Sequence, residues 1–301
     1  MKKTIVSSYF VLALATMSAC ATSPVTKEID VAENTAAYSK TYRKQTLDGS
    51  LASSDELVVD DTKRKEAYDQ LQEYKAGIKE KAILNALSIV DEFYISNNTL
   101  QATRKAYGVA SENDVYEKLF SFFIKDRKAD LNYKMPYKGT TYKLSEVGPK
   151  ALKVNINSLQ ESAAYEVVFS KLEDNKVYLH LRVPIVDSYQ YYVQATNRDN
   201  YEEFFYPLEM ELTAAQGKDD INKNLLVLYT YYLEAVGGEE GSVDLAGMTW
   251  GELRDIYLVL DVNKDQSISI SDEMLGAVSQ VDASSVNKKW ESTFQKWEAE
   301  N

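Results

Sequence analysis

The chain has 301 residues, with 34 basic against 46 acidic side chains and a formal net charge of −12. That balance argues against DNA or RNA as a partner, because nucleic-acid affinity rests on basic patches that neutralise phosphates, and against docking on anionic headgroups through protein charge. One cysteine and one histidine rule out an internal disulfide and a zinc-spaced Cys/His cluster.

Lys2 and Lys3 open the chain, residues 5–17 form a short apolar run, and Met17-Ser18-Ala19-Cys20 sets small residues ahead of the only cysteine. This is the pattern of a secretory signal peptide, too short for a spanning helix. The last four residues resemble a bacterial lipobox, with Met17 where Leu is usual. The resemblance implies removal of residues 1–19 and lipidation of Cys20, so that a lipid anchors the protein to a membrane of the cell envelope. Ala21, rather than Asp, after the cysteine implies the outer membrane, facing the periplasm. Ala19-Cys20-Ala21 also fits an A-x-A cleavage site, whose use would release a soluble protein. Loss of Lys2 and Lys3 takes the 34 basic residues to 32 against 46 acidic, a balance of −14 that favours divalent cations as partners. No later stretch reaches the roughly 18 apolar residues of a membrane span.

Residues 20–61 are rich in Ser, Thr, Ala and Asp without periodicity and are expected to form a tether. From 63 to 90, Tyr68, Leu71, Tyr74, Ile78, Ala82 and Leu87 recur at helical spacing, so one helix is expected there. A second is expected over 113–131, with Ser111 as its cap and Val115, Leu119, Phe122 and Phe123 inward. Residues 137–212 favour strands, first at 141–144 and 151–156. The clearest hairpin pairs 165–172 with 177–185 through Glu173-Asp174-Asn175-Lys176. In it Val177, Leu179, Leu181 and Val183 alternate with Tyr178, His180 and Arg182, the period of a half-buried strand. His180 has no sequence partner for acid–base or nucleophilic work and is expected to be a plain strand or surface residue. Another strand is expected at 201–213. Tyrosine is abundant, at 22 residues, and 189–206 contains Tyr189, Tyr191, Tyr192, Tyr201, Phe204, Phe205 and Tyr206. Such a run suits either strand packing or an aromatic platform for a protein or glycan.

Residues 219–236, apolar on most sides, are expected to form a buried helix. Thr249 and Glu252 then read as a capping box, and Leu253, Ile256, Tyr257 and Leu260 repeat at helical spacing. The next twelve residues are rich in oxygen ligands. Asp261, Asn263 and Asp265 stand at loop positions 1, 3 and 5, Ser267 at 7 (through its carbonyl), Ser269 at 9 and Asp272 at 12, with the apolar Ile268 at 8. Met274, Ala277, Val278 and Val281 follow as the stripe of an exit helix, with Ser269 and Asp272 as its start signal.

Residues 249–283 therefore resemble a calcium-binding EF-hand, and the resemblance implies Ca²⁺ held by those six residues between two helices. Mg²⁺ fits a flexible loop less well. Gln266 stands where the family has glycine, and Asp272 where it has Glu, as in dockerin-like loops. A left-handed glutamine costs roughly 1–2 kcal/mol, weakening binding about tenfold and placing the affinity near 10⁻⁴–10⁻³ M. The other reading is a degenerate, metal-free connector. Residues 236–247 offer only a poor second loop, since Val236 and Gly238 supply no side-chain oxygen at positions 1 and 3.

The order of elements predicts an α+β fold: N-terminal helices, a central antiparallel β region and C-terminal helices carrying the loop. The organisation expected is a signal peptide (1–19), a lipidated tether (20–61), an α+β domain (62–235) and a C-terminal helical region (236–301). The function expected is structural calcium binding in an envelope lipoprotein. The alternative is an envelope protein- or glycan-binding module using the Tyr-rich region, with the loop degenerate. No catalytic signature is present; an acidic pair, as in glycoside hydrolases, cannot be nominated among 46 carboxylates.

Overall fold

The computed structural model describes residues 61–300 except 96–98, 126, 138, 161–164, 187–205, 208–209, 211–213, 215–220, 238–248 and 282. The expected signal peptide, Cys20 and tether lie outside the described residues, as do most of the 236–247 connector and all of the aromatic run except Tyr206. Of the strand expected at 201–213, only Tyr206, Pro207 and Met210 are described, each in helical conformation.

The described residues form eight helices, a four-stranded antiparallel sheet and a two-stranded one, the α+β class expected. The first expected helix is two: α1 (Asp61–Gly77) and α2 (Lys81–Tyr94). The break falls after Gly77, where a helix interior loses about 1 kcal/mol relative to alanine, and Glu80 enters α2 in extended conformation. The short α3 (Gln101–Tyr107) was not expected. Its first amides are held by another helix: the buried Glu92 carboxylate accepts from Ala102 N–H at 2.7 Å and Thr103 N–H at 2.8 Å. Gly108 closes α3 with φ +71°, a left-handed cap that glycine adopts without strain. Helix α4 (Glu112–Lys125) starts at the expected Ser111, whose hydroxyl accepts from Asp114 N–H at 3.1 Å while the Asp114 carboxylate accepts from Ser111 N–H at 2.8 Å. That reciprocal pair holds the Asp114 carboxyl below its ordinary range. Val115, Leu119 and Phe123 are buried as expected, but Phe122 is only half-buried and Phe120 takes the deeper place.

Strands β1 (Lys134–Tyr137) and β2 (Thr140–Lys143) form the small sheet. The strand expected at 151–156 is instead part of helix α5 (Leu144–Gln160). Alternation over six residues misled there. Over the longer window Leu144, Val147, Ala151, Leu152, Ile156 and Leu159 recur at helical spacing, and all are buried. Gly148 lets α5 approach α4 closely: a Cβ at this position would sit 2.1 Å from the Phe120 ring. That ring packs edge-on against Tyr229 of helix α6 (Ile221–Gly237), the buried helix expected at 219–236.

The larger sheet runs β3-β4-β5-β6. Strands β3 (Glu166–Glu173) and β4 (Lys176–Val186) are the expected hairpin. Its connector narrows to Asp174-Asn175, with φ +51° and +57°, the two left-handed residues of a type I′ turn. Strand β5 (Thr249–Val262) pairs along β4 from Lys176↔Asp261 to Val186↔Thr249. This corrects the entering helix expected over 249–260. A strand buried on both faces reads as a near-continuous apolar run, and 253–260 satisfies helical spacing as well. Pairing with β4 decides between the two. The expected helix cap Thr249 is a ladder residue.

Val177, Leu179, Leu181, Ile256, Leu258 and Leu260 pack into the main core beneath the helices. The opposite face, with Tyr178, His180 and Tyr257, is covered by α8 (Ala283–Glu300), so β4 is buried on both sides. Beyond β6 (Ile268–Ser269) side chains satisfy the open edge of β5. Asn287 of α8 donates to Asp255 O at 2.5 Å and accepts from Tyr257 N–H at 3.3 Å, and Met274 Sδ of α7 (Asp272–Val278) accepts from Val259 N–H at 3.2 Å. An edge so occupied offers no template to another strand. Among the described residues, no helix is long and apolar enough to cross a membrane.

Gly148→Ala should destabilise by about 1–3 kcal/mol, because the buried Phe120 has no room to swing away. Thermal unfolding should show a melting temperature several degrees lower. An unchanged value would show that α4 and α5 are free to separate.

Candidate functional site

The oxygen-rich loop lies at the end of β5. The chain reverses through residues 263–267 and returns as β6, with Asp261 opposite Ser269 and Val262 opposite Ile268. Residues opposite one another share a face, and so do residues two apart. The register therefore puts Asp261, Asn263 and Ser269 on one side of the hairpin. Asn263 N–H donates to Ser267 O and Gln266 N–H to Asn263 O, each at 2.9 Å. Gln266 has φ +65°, the left-handed conformation expected at position 6.

Four of the six predicted ligand residues meet in one network. The Asp265 carboxylate accepts from the Ser267 hydroxyl at 2.6 Å and its N–H at 3.0 Å. These bonds hold the Asp265 carboxyl below the usual range. Asn263 Nδ2 donates to the hydroxyls of Ser267 at 3.0 Å and Ser269 at 3.1 Å. The other two ligand residues turn to protein partners. Asp261 accepts from Lys176 Nζ, its cross-strand neighbour, at 2.6 Å, and this bond raises the Lys176 pKa. Asp272, at the first residue of α7, accepts from the Tyr107 hydroxyl. Burial, then Asp272, pushes that phenol's pKa up. The helix cap is Ser271, whose hydroxyl accepts from Met274 N–H at 3.3 Å, in place of the expected Ser269.

The loop is anchored from outside as well. Asn85 of α2 donates to Gln266 O at 2.7 Å, Ile270 N–H donates to Ala106 O of α3 at 3.2 Å, and Ile268 and Ile270 are buried. Ser267 and Ile268 also form one wall of a cleft of about 600 Å³ against α1, α2 and α3, with Tyr68, Lys75 and Lys105 among its other residues. For a hard cation the fit is of a specific kind. Hairpin register, the left-handed residue and the oxygen donors suit such an ion, while Asp261 and Asp272 must exchange Lys176 and Tyr107 for it. Among the described residues, no three His, Cys, Asp or Glu side chains form a metal-holding group.

His180, expected to be a plain strand or surface residue, lies on strand β4 but is not at the surface. It is 5 % exposed. Its Nδ1 lies 2.6 Å from Glu298 Oε1 of α8, and its Nε2 lies 2.9 Å from Asp255 Oδ1 of β5. The ring packs on Tyr257, 4.5 Å between centroids. Around it Phe169, Tyr178, Phe294 and Trp297 form an aromatic layer between sheet and helix. A signal for this was present in the sequence: Trp290, Phe294 and Trp297 recur at helical spacing in the last helix, a stripe that must bury itself on something. Nothing local to His180 names Glu298, 118 residues away.

No protein-family model, curated protein or solved structure matches this chain.

Gln266→Gly should relieve the left-handed strain, less the added freedom of glycine in the unfolded chain, for a net gain of about 0.5–1 kcal/mol. Thermal unfolding should show a melting temperature a few degrees higher. A fall would mean that the side chain contributes more than its backbone costs.

Proposed function

We propose that this is a calcium-binding envelope protein, anchored through lipid on Cys20, in which Ca²⁺ on the 261–272 loop has a structural role. The observation that supports the reading is the single network joining Asn263, Asp265, Ser267 and Ser269, with Asp261 on the same side of the hairpin. A hard ion takes six to eight such oxygens, neutral ones included. The ion would sit on a loop already tied to α2 and α3 and so add to the hold of the C-terminal unit on the helices. The acidic surface raises the local concentration of divalent cations.

The contact that competes for Asp261 is weak enough to yield. Lys176 and Asp261 are both more than a third exposed, and such pairs contribute about 0.2–1 kcal/mol. With Gln266 strained and partners to be exchanged, the affinity expected is that of weak extracellular modules, near 10⁻⁴–10⁻³ M. A site this weak is filled steadily in a calcium-rich compartment and does not respond to small transients.

Calcium at about ten times its dissociation constant should stabilise the protein by about 1.4 kcal/mol, seen as a rise of several degrees in melting temperature that EDTA reverses. Asp265→Ala should remove most of that rise. Lys176→Gln should enlarge it by freeing Asp261. No rise in the parent at about 10 mM calcium, beyond the weak end of known sites, would contradict the reading, as would an undiminished rise in Asp265→Ala.

A further inference from the structure

The hydrogen-bond inventory of an imidazole fixes the state of His180. A neutral ring has one N–H and one lone pair, whereas an imidazolium donates from both nitrogens. Here both nitrogens meet carboxylate oxygens, at 2.6 Å and 2.9 Å. Ionised carboxylates only accept, so two of them satisfy both nitrogens only when the ring carries its second proton. The enclosure is otherwise apolar, formed by Tyr257, Phe294 and their aromatic neighbours.

The charges facing the ring come from every element packed on it. Strand β4 supplies Arg182, whose Nε is 3.3 Å from Asp255. Strand β3 supplies Glu166, 3.7 Å from Arg182, and Lys171, whose ammonium lies over the Trp297 ring. Strand β5 supplies Asp255 and Tyr257, and α8 supplies Glu291 and Glu298. Burial, then Asp255, Glu291 and Glu298, raises the Tyr257 phenol to about 12, so it stays protonated near neutrality. Desolvation by burial lowers the His180 pKa, but the bonds to Asp255 and Glu298 outweigh it and leave the ring above its ordinary 6.5. Asp255 is held below its ordinary value, first by His180.

The two carboxylates differ in how readily they can leave. Asp255 lies mid-strand and has Arg182 as a second partner. Glu298 is in the last turn of α8, its side chain is 27 % exposed, and His180 is its hydrogen-bond partner among the described residues.

We propose that His180 is a proton-operated clasp: protonated, it holds the end of α8 on the sheet at Glu298, and on losing its proton it releases Glu298 and lets the helix end beyond Trp297 lift. The ring proton passes to solvent, one nitrogen then turns a lone pair toward a carboxylate, and Glu298 swings into water. A group with a raised folded pKa contributes stability that is fully present below its unfolded value near 6.5 and disappears as pH rises through the folded value. Docking of the helix end should therefore weaken on the alkaline side. Val286, Asn287, Phe294 and Trp297 keep the helix before Glu298 in place.

His180 is the only histidine, so its ring signals in a carbon-13 NMR titration of the purified, untagged protein need no assignment. The expected midpoint lies above 6.5. Over the same range, hydrogen exchange corrected for intrinsic rate should show the last turn of α8 losing protection, by up to about tenfold per unit that the midpoint exceeds 6.5. Glu298→Gln should lower the midpoint and flatten the pH dependence of protection. The proposal is overturned if wild-type protection stays constant while the ring titrates, if the ring titrates at or below 6.5, or if Glu298→Gln leaves the midpoint unmoved. The wild-type measurements decide alone if that variant fails to fold.

Discussion

The pairing of β4 with β5 is the constraint on which the rest of the larger sheet depends. Its register, from Lys176↔Asp261 to Val186↔Thr249, settles with one choice which side chains face the helical core and which face α8. A slip of one residue would exchange the two sets. It would place Tyr178 and His180 in a core shaped for Leu179 and Leu181, and leave those leucines beneath α8. The same register brings Asp255 beside His180, sets Lys176 on Asp261, and delivers Asp261 to the end of the strand, where the oxygen-rich loop begins.

Features carried by short-range signals were legible in the sequence. The β3–β4 hairpin announced itself through strict alternation around Asp174-Asn175, α4 through Ser111, and α6 through its apolar run. What escaped depended on partners far away in the chain. Residues 253–260 satisfy a helical template and a doubly buried strand equally well, and only the presence of β4 as a partner breaks the tie. The segment 151–156 alternates by accident inside a longer helical stripe. In the loop, the left-handed Gln266 followed from the EF-hand resemblance, and Asn263, Asp265, Ser267 and Ser269 do gather, although Ser267 joins through its hydroxyl while its carbonyl accepts from Asn263 N–H. The diversion of Asp261 to Lys176 and of Asp272 to Tyr107 was not legible, because both partners belong to other elements.

The loop and the histidine clasp occupy different places along β5 and follow different physics. The loop is exposed, its donors are a mix of carboxylates and neutral oxygens, and Asp261 is held elsewhere only by an exposed ion pair with Lys176. Its geometry comes from the hairpin register, the buried Ile268 and Ile270, and its ties to Asn85 and Ala106. An ion arriving there would find the backbone already arranged, so binding would cost little ordering entropy. The His180 group is enclosed and charged, and its stability depends on one proton. On the two proposals, the first arrangement would be tuned by the concentration of a cation and the second by pH. The aromatic layer that encloses the histidine is also what fastens α8, so proton loss would reach only the helix end at Glu298.

The central claim, a hard cation held on the donor side of the β5–β6 hairpin, is tested most directly by terbium luminescence. Tyr107 already touches Asp272, so a lanthanide in the loop would lie within reach of that ring as a light-gathering donor. The account predicts terbium emission on tyrosine excitation, displaced by calcium and much reduced in Tyr107→Phe. Absence of sensitised emission, or emission that calcium cannot displace, would contradict it.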